Sequence, residues 1–306
     1  PLHVGPIVSS TDAVWDRWRV TEAGPLRWTM RCEGAVGACE AAMDVRLYRG
    51  ERRVEFAVEV DWDGRGGFLA AHLPFPGEGE LAGDMPFCVE DKPIADEPYV
   101  GIERTRDGAF IARSFVDWAG KKRSIAYISH DGDRWFVFDS ERNELAHILI
   151  NSVDEPYAQW EESVNATMRG VGRHCFTFSI APHDSNWRQA GLWQLSEHLR
   201  TPVLETLATP GGDLPAAGGL IEVSPPGVAL SACYRRGERT LIRVFDTVGA
   251  GGEAQITLPF EVGEAELVDL NAEPLDGADV NAERNTVSLR LKPWQIATVA
   301  VLRAKE

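Results

Sequence analysis

No apolar run in the 306-residue chain approaches 18 residues, so nothing in it reads as a membrane-spanning helix. No secretory leader is recognisable either, and the chain opens Pro1-Leu2-His3 without Met, which leaves both a true N-terminus and a cut fragment open. Positive charge is short: 31 Lys and Arg face 47 Asp and Glu, for a net charge of −16. Such a chain repels phosphate backbones, which argues against nucleic acid as a partner, whereas a neutral ligand such as a sugar fits the balance. The five cysteines, Cys32, Cys39, Cys88, Cys175 and Cys233, are odd in number and form no CxxC pattern. They predict reduced, mostly buried thiols and a cytoplasmic protein, with a Cys32–Cys39 bridge left open. The catalytic signatures are missing as well. There is no GxSxG elbow, no HExxH, and no metal spacing among the seven histidines. Gly64-Arg65-Gly66-Gly67 lacks a strand–GxGxxG–helix context and reads as a hairpin turn.

What the sequence does have is period-2 alternation. In Ala41–Trp62, Val54, Phe56, Val58 and Val60 fall on one face, with Arg53, Glu55, Glu59 and Asp61 on the other, after a turn at Arg49-Gly50-Glu51. Further strands are predicted at 28–32, 68–73, 108–117, 124–130, 135–139, 144–151 and 176–181. One helix is predicted over 186–199, with Asp184 or Ser185 as N-cap and Pro202 as stop. A Gly/Pro/Ala-rich stretch follows, and then about seven short strands. The expected fold is all-β: a large antiparallel supersandwich over 1–205, a linker over 206–219, and a small β-sandwich over 220–306. The ten tryptophans are expected mostly between sheets.

Three local features could carry chemistry. The segment 84–98 holds Asp84, Glu90, Asp91, Asp96 and Glu97 between prolines, the composition of a rigid acidic loop that could border a sugar cleft or be a solvated connection. Asp117-Trp118 joins a carboxylate to an indole at a strand end, which suits sugar recognition and equally suits packing. His183, Trp187 and Arg188 lie where a strand meets the helix. His183 beside Asp184 could act as an acid or base, or the corner could be structural. With 47 acidic residues, no spacing singles out a catalytic pair.

The order of these motifs resembles the C-terminal region of glycoside hydrolase family 38, the α-mannosidases. The hairpin Val45–Trp62, the segment Asp84-Met85-Pro86-Phe87-Cys88-Val89, Phe115-Val116-Asp117-Trp118, and His174–His183 with Trp187-Arg188 are each similar to a family pattern. So are Ile221-Glu222-Val223, Leu241–Asp246, Ala265–Leu270 and Ile296-Ala297-Thr298 in the tail. Cys88 stands where Gly is usual, Lys92 where Arg is usual, and Ser185-Asn186 where Gly-Asp is usual. The resemblance implies a galactose-mutarotase-like supersandwich and a parent enzyme that hydrolyses α-mannosides with retention. It also implies that zinc and the nucleophile are held in a catalytic domain N-terminal to this region, so no catalytic or metal residue is transferred here. The residues left as substrate-lining candidates are Asp84, Glu90, Asp91, Asp96, Asp117, Trp118, His183, Trp187 and Arg188. The preferred reading is a non-catalytic, carbohydrate-associated portion of such an enzyme. Three rivals stand beside it. An aldose-epimerase-like enzyme would need His183, His174 or His72 facing a Glu. A stand-alone carbohydrate-binding module would need a surface indole platform flanked by carboxylates. A purely structural buttress would show a bare apolar face within about the first 40 residues.

Overall fold

The computed structural model describes residues 9–92, 108–132, 134–152, 169–201, 203–207, 211–212, 217–275 and 280–305. The fold is all-β, and the chain divides into two compact units. One comprises Pro1–Met85 with Glu90–Pro202, the other Pro86–Val89 with Val203–Glu306.

Among its described residues the first unit holds twelve whole strands and the last two residues of a further one, β7: β1 (Ala13–Ala23), β2 (Arg27–Val36), β3 (Cys39–Tyr48), β4 (Val54–Trp62), β5 (Gly67–Pro74), β6 (Gly79–Met85), β7 (Cys88–Asp91), β8 (Gly108–Ala112), β9 (Phe115–Gly120), β10 (Ser124–Ser129), β11 (Arg134–Asp139), β12 (Glu144–Ser152) and β13 (Gly172–His183). They form a nine-stranded sheet in the order β1-β2-β3-β4-β13-β10-β9-β6-β7 and a four-stranded sheet in the order β5-β12-β11-β8. Leu73, Phe136, Phe138 and Leu145 from the small sheet pack with Leu81, Val116, Trp118, Tyr127 and Phe178 from the large one. Trp118 lies at the centre, stacked on Phe75 with ring centroids 5.0 Å apart and on Phe138 at 5.4 Å. The alternation read in Val54, Phe56, Val58 and Val60 is the pleat of β4, whose inner face meets Phe176 and Phe178 of β13.

Several expectations are corrected. The run 108–117 is two strands, because the chain leaves the small sheet after Ala112 and enters the large one at Phe115. Gly64–Gly67 is a crossover rather than a hairpin turn, since β4 pairs with β3 and β13 while β5 pairs with β12. Asp84, Glu90 and Asp91 stand on β6 and β7 and not in an open acidic loop. β1 went unread because Arg17, Arg19 and Glu22 interrupt its apolar pattern. Helix α1 spans Leu192–Arg200 only. Its N-cap is Gly191 at φ 65°, a left-handed position that suits glycine, and neither Asp184 nor Ser185 caps it. Asn186 instead accepts the Gln189 amide at 3.1 Å and ties 186–190 into a turn before the helix.

The second unit contains β14 (Glu222–Ser224), β15 (Val228–Arg236), β16 (Arg239–Asp246), β17 (Gly252–Thr257), β18 (Val262–Val268), β19 (Val280–Glu283), β20 (Thr286–Leu291) and β21 (Ile296–Arg303), eight strands among its described residues. Its two sheets run β14-β17-β20-β19 and β15-β16-β21-β18. They enclose Ile242, Val244, Ile256, Val287, Leu289 and Val299. The stretch 206–219 lies partly outside the described residues.

Cys32, Cys39, Cys175 and Cys233 carry free thiols. Cys32 and Cys39 are buried, while Cys175 and Cys233 are exposed, so burial is less general than the sequence suggested. The tryptophans also divide: Trp62, Trp118 and Trp187 are buried, whereas Trp18 and Trp28 are exposed. No helix among the described residues is long and apolar enough to cross a membrane.

Candidate functional site

Two buried carboxylates sit near the turn that carries the chain from β8 into β9. Asp84, at the end of β6, is fully buried. Its Oδ1 accepts the backbone N–H groups of Ser114 and Phe115 at 2.7 and 2.8 Å, and its Oδ2 accepts the Ser114 hydroxyl at 2.5 Å. The Arg113 guanidinium lies 3.9 Å from Oδ2 and pairs with Glu197 of α1 at 2.8 Å. Burial pushes the Asp84 carboxyl up, and the bonds donated by Ser114 and Phe115 oppose that rise. Ser114 Oγ also lies 3.1 Å from Ser196 Oγ, whose hydroxyl donates to the Trp193 carbonyl at 2.8 Å. Asp84 therefore fixes the sheet-to-sheet crossing and its seat against α1.

Asp117, two residues beyond this crossing on β9, is also fully buried. Its Oδ1 lies 2.9 Å from His183 Nε2 at the end of β13. Among the described residues, Asp117 Oδ2 and His183 Nδ1 have no hydrogen-bond partner. On the same side, Phe115 meets the buried Trp187 indole at 6.3 Å between centroids, and the Arg188 guanidinium lies 4.2 Å over that indole. Trp118 points the other way, into the core between the sheets. Replacing His183 with alanine strands a buried Asp117 oxygen. This is expected to lower the first unit's unfolding free energy by about 1–3 kcal/mol in urea denaturation followed by tryptophan fluorescence, with His183→Gln recovering part of the loss. A change below about 0.5 kcal/mol would show that the pair contributes nothing.

The structure thus gathers Asp117, His183, Trp187 and Arg188 at one corner and places Asp84 by the adjoining turn. It does not gather the rest. Glu90 is exposed and paired with Lys92 at 2.9 Å, Asp91 is exposed on β7, and Asp96 lies outside the described residues. His72 is held by Glu144 at 2.5 Å on an exposed face, and His174 contacts the Gly170 carbonyl at 2.6 Å. Two arrangements were not legible from spacing. On the outer face of the large sheet, Arg53 and Glu55 form a buried pair at 2.7 Å, and Ser179, within 3.1 Å of Arg53, leads on to His130. Burial pulls His130 below its ordinary value. In the core, Tyr127 and His147 meet at 2.5 Å. Cross-strand register alone could have found the first, since Ser179 stands opposite Glu55. Among the described residues no three His, Cys, Asp or Glu side chains are grouped to hold a metal.

The chain thus comprises two consecutive antiparallel sandwich units, with Asp84 and Asp117 the two candidate acids that are buried. Residues 6–84 match the family model described as the glycosyl hydrolases family 38 C-terminal domain, and residues 227–299 match the family 38 C-terminal beta sandwich domain. The chain is a C-terminal region of glycoside hydrolase family 38. Alpha-mannosidase 2C1 of Mus musculus is 26% identical over 139 residues, which is 43% of this chain and 13% of that protein. The Homo sapiens protein of the same name is 27% identical over the same length. Among solved structures, an alpha-mannosidase from Enterococcus faecalis V583 superposes with a TM-score of 0.76 at 13% identity, covering 96% of this chain and 35% of that one. The chain therefore spans a minor part of each relative's length.

Proposed function

We propose that this chain is the non-catalytic, carbohydrate-associated portion of an α-mannosidase-like glycoside hydrolase. The division into a supersandwich over 1–205, a linker over 206–219 and a small sandwich over 220–306 belongs to this reading. So do α-mannosides as the substrates of the parent enzyme, and zinc and the nucleophile held by its catalytic portion. The observation that carries the reading is the match of two separated segments, in order, to the two C-terminal family models. Local chemistry supports it. A retaining glycosidase needs two carboxyl groups about 5–5.5 Å apart beside the bond to be cleaved. Here Asp84 commits both oxygens to backbone and hydroxyl donors, Asp117 is buried against His183, and Glu90 and Asp91 stand apart on an exposed strand.

The test is an assay of the pure 306-residue chain on an aryl α-mannoside, with and without added zinc, together with calorimetric titration of mannose and mannobiose. The expected result is no turnover in either condition. Heat of binding would assign the chain a part in lining the substrate cleft, and no heat would leave it a scaffold. Steady turnover would overturn the reading, and Asp84, Glu90, Asp91 and Asp96 would then be replaced one at a time.

A further inference from the structure

The inner face of the large sheet is apolar, while its outer face carries charge and is hollowed at one corner. Register sets the outer-face residues there in two neighbouring rows. One row runs from Arg17 on β1 through Glu33 on β2, Ala42 on β3 and Glu59 on β4 to Cys175 on β13. In the next, Val14, Ala35 and Glu40 stand opposite one another on β1–β3, and Asp61 on β4 stands opposite Arg173 on β13. Partners in a row share a face of the pleat. Ala35 and Ala42 are diagonal neighbours on that face, and charged side chains stand around them. Together they shape a groove of about 590 Å³, with the two alanines in its floor and Glu33, Glu40, Glu59, Asp61 and Arg173 about them. The β1 strand supplies a further wall through Val14, Asp16 and Arg17. It approaches β2 so closely that a Cβ on Gly34 would lie 1.9 Å from the Val14 carbonyl oxygen.

Charge balance narrows what the groove can hold. Its walls carry five carboxylates, on Asp16, Glu33, Glu40, Glu59 and Asp61, and two guanidinium groups, on Arg17 and Arg173. Two more arginines reach these carboxylates from beside the groove: Arg19 lies 2.8 Å from Glu33, and Arg31 lies 3.3 Å from Glu59. Arg173 pairs with Glu59 as well. Five negative charges therefore meet four positive ones. A phosphate would face the carboxylates, and a polycation would face the guanidinium groups, whereas an uncharged ligand meets neither repulsion. Among the described residues the carboxylates form no group of three that could hold a metal ion. Glu40 and Asp61 are exposed and make no side-chain hydrogen bond or ion pair among the described residues, so their oxygens are free to accept. A sugar hydroxyl both donates and accepts, and carboxylates set beside guanidinium groups satisfy both roles. The volume falls among those of small-molecule sites, about 300–1,000 Å³.

We propose that this outer-face groove is a binding site for a neutral oligosaccharide, an α-mannoside chain in the parent enzyme, whose hydroxyls meet Glu40, Asp61 and Arg173 over the floor of Ala35 and Ala42. The proposal rests on the reading given under Proposed function and gives its carbohydrate association a place. Neither motif nor spacing marks these residues. They come together because β1, β2, β3, β4 and β13 are neighbours in the sheet and the pleat turns alternate side chains outward.

The test titrates the intact 306-residue chain with a linear α-mannotriose by calorimetry and follows its backbone amides by NMR. Saturable binding is expected, with amide shifts centred on Ala35, Glu40 and Ala42. Glu40→Ala/Asp61→Ala should weaken it at least about tenfold while the unfolding midpoint stays unchanged, because both side chains are exposed. Ala35→Gln, which fills the groove and removes no charge, should weaken binding in the same direction. Glu283→Ala, on an exposed position of β19 in the second unit, should leave it unchanged. Raising NaCl to about 0.5 M should alter the affinity less than about twofold, as expected for an uncharged ligand. Absence of binding, or binding indifferent to both groove variants, overturns the proposal. Heat from inorganic phosphate or spermidine that the double variant abolishes, with none from mannotriose, would assign the groove to a charged ligand and also overturn it, as would a steep loss of affinity with salt. Turnover of an aryl α-mannoside by the isolated chain would instead strike the reading beneath it, so the two failures are distinguishable.

Discussion

Asp84→Ala is expected to lower the unfolding free energy of the first unit by about 3–5 kcal/mol. The carboxylate accepts three hydrogen bonds inside the protein, two of them from backbone N–H groups that have no solvent to turn to. Truncation orphans all three donors, opens a void, and leaves the Arg113 guanidinium facing it. Asp84→Asn keeps an oxygen for the Ser114 and Phe115 amides and can donate an N–H to Ser114 Oγ, so its loss should be half or less. Urea denaturation followed by tryptophan fluorescence reports the difference, because Trp118 sits in the core just beyond the crossing. The second unit should be unaffected, since its own turn clasp is Asp246, which holds the amides of Val248, Gly251 and Trp294. A loss below about 1 kcal/mol for the alanine variant would mean that water or backbone shifts replace the carboxylate, and the crossing would then need another explanation.

Asp84 also shows where the sequence was legible and where it was not. Alternation announced β4 because one face of that strand is apolar along its whole length and the other carries Glu55, Glu59 and Asp61. The same logic failed at 108–117, which is apolar on both sides of the break. Ala112 ends one strand and Phe115 begins another, and the turn between them is held by a carboxylate 30 residues upstream that no local pattern announces. Acidic residues in 84–98 suggested a polar loop because composition cannot tell a solvated Asp from one committed to backbone amides. The helix was placed six residues early because Trp187 and Ala190 fit a helical period, while Asn186 makes a turn and Gly191 adopts a left-handed angle. Tryptophan misled in a different way. The expectation that indoles pack between sheets holds for Trp62 and Trp118 and fails for Trp18 and Trp28, which face inward on strands that the second sheet does not reach. Direction within a pleat is readable from sequence, and the width of the opposing sheet is not.

That distinction bears on the candidate site. Asp117, His183 and Trp187 were singled out for chemistry and do meet, yet they meet in the interior: Asp117 and Trp187 are buried, and His183 is largely covered. Residue type and order were enough to bring these side chains to one corner, because β9, β10 and β13 are adjacent in the sheet. Whether the corner opens to solvent depends on α1 and the 186–190 turn that lie over it, and those packing choices leave no periodic trace.

Acid is expected to destabilise the first unit through His147, which neither motif nor spacing marks. The ring is fully buried in the core, stacked on Phe136 at 4.8 Å, and its Nδ1 is hydrogen-bonded to the Tyr127 hydroxyl at 2.5 Å. Burial, with a smaller contribution from the Arg134 charge, depresses its pKa from 6.5 to about 3. A histidine whose folded pKa lies below its unfolded one stays neutral in the fold while the unfolded chain takes up a proton, so stability falls as pH drops from about 6.5 towards 3. Each pH unit crossed between those two values removes roughly 1.4 kcal/mol, and the full loss approaches about 5 kcal/mol, comparable to the whole stability of many domains. Urea denaturation at pH 7, 6, 5 and 4 should show a decline that steepens below pH 6 towards about 1.4 kcal/mol per pH unit from this group. Tyr127→Phe/His147→Leu removes both members of the pair and leaves no orphaned donor or acceptor, so it should cost little at pH 7 and flatten the profile by that slope. His147→Leu alone should flatten it equally while stranding the Tyr127 hydroxyl, at a cost of about 1–3 kcal/mol at every pH. A double variant as acid-sensitive as the parent would move the effect to other groups, His130 first among them, since burial lowers its pKa in the same direction.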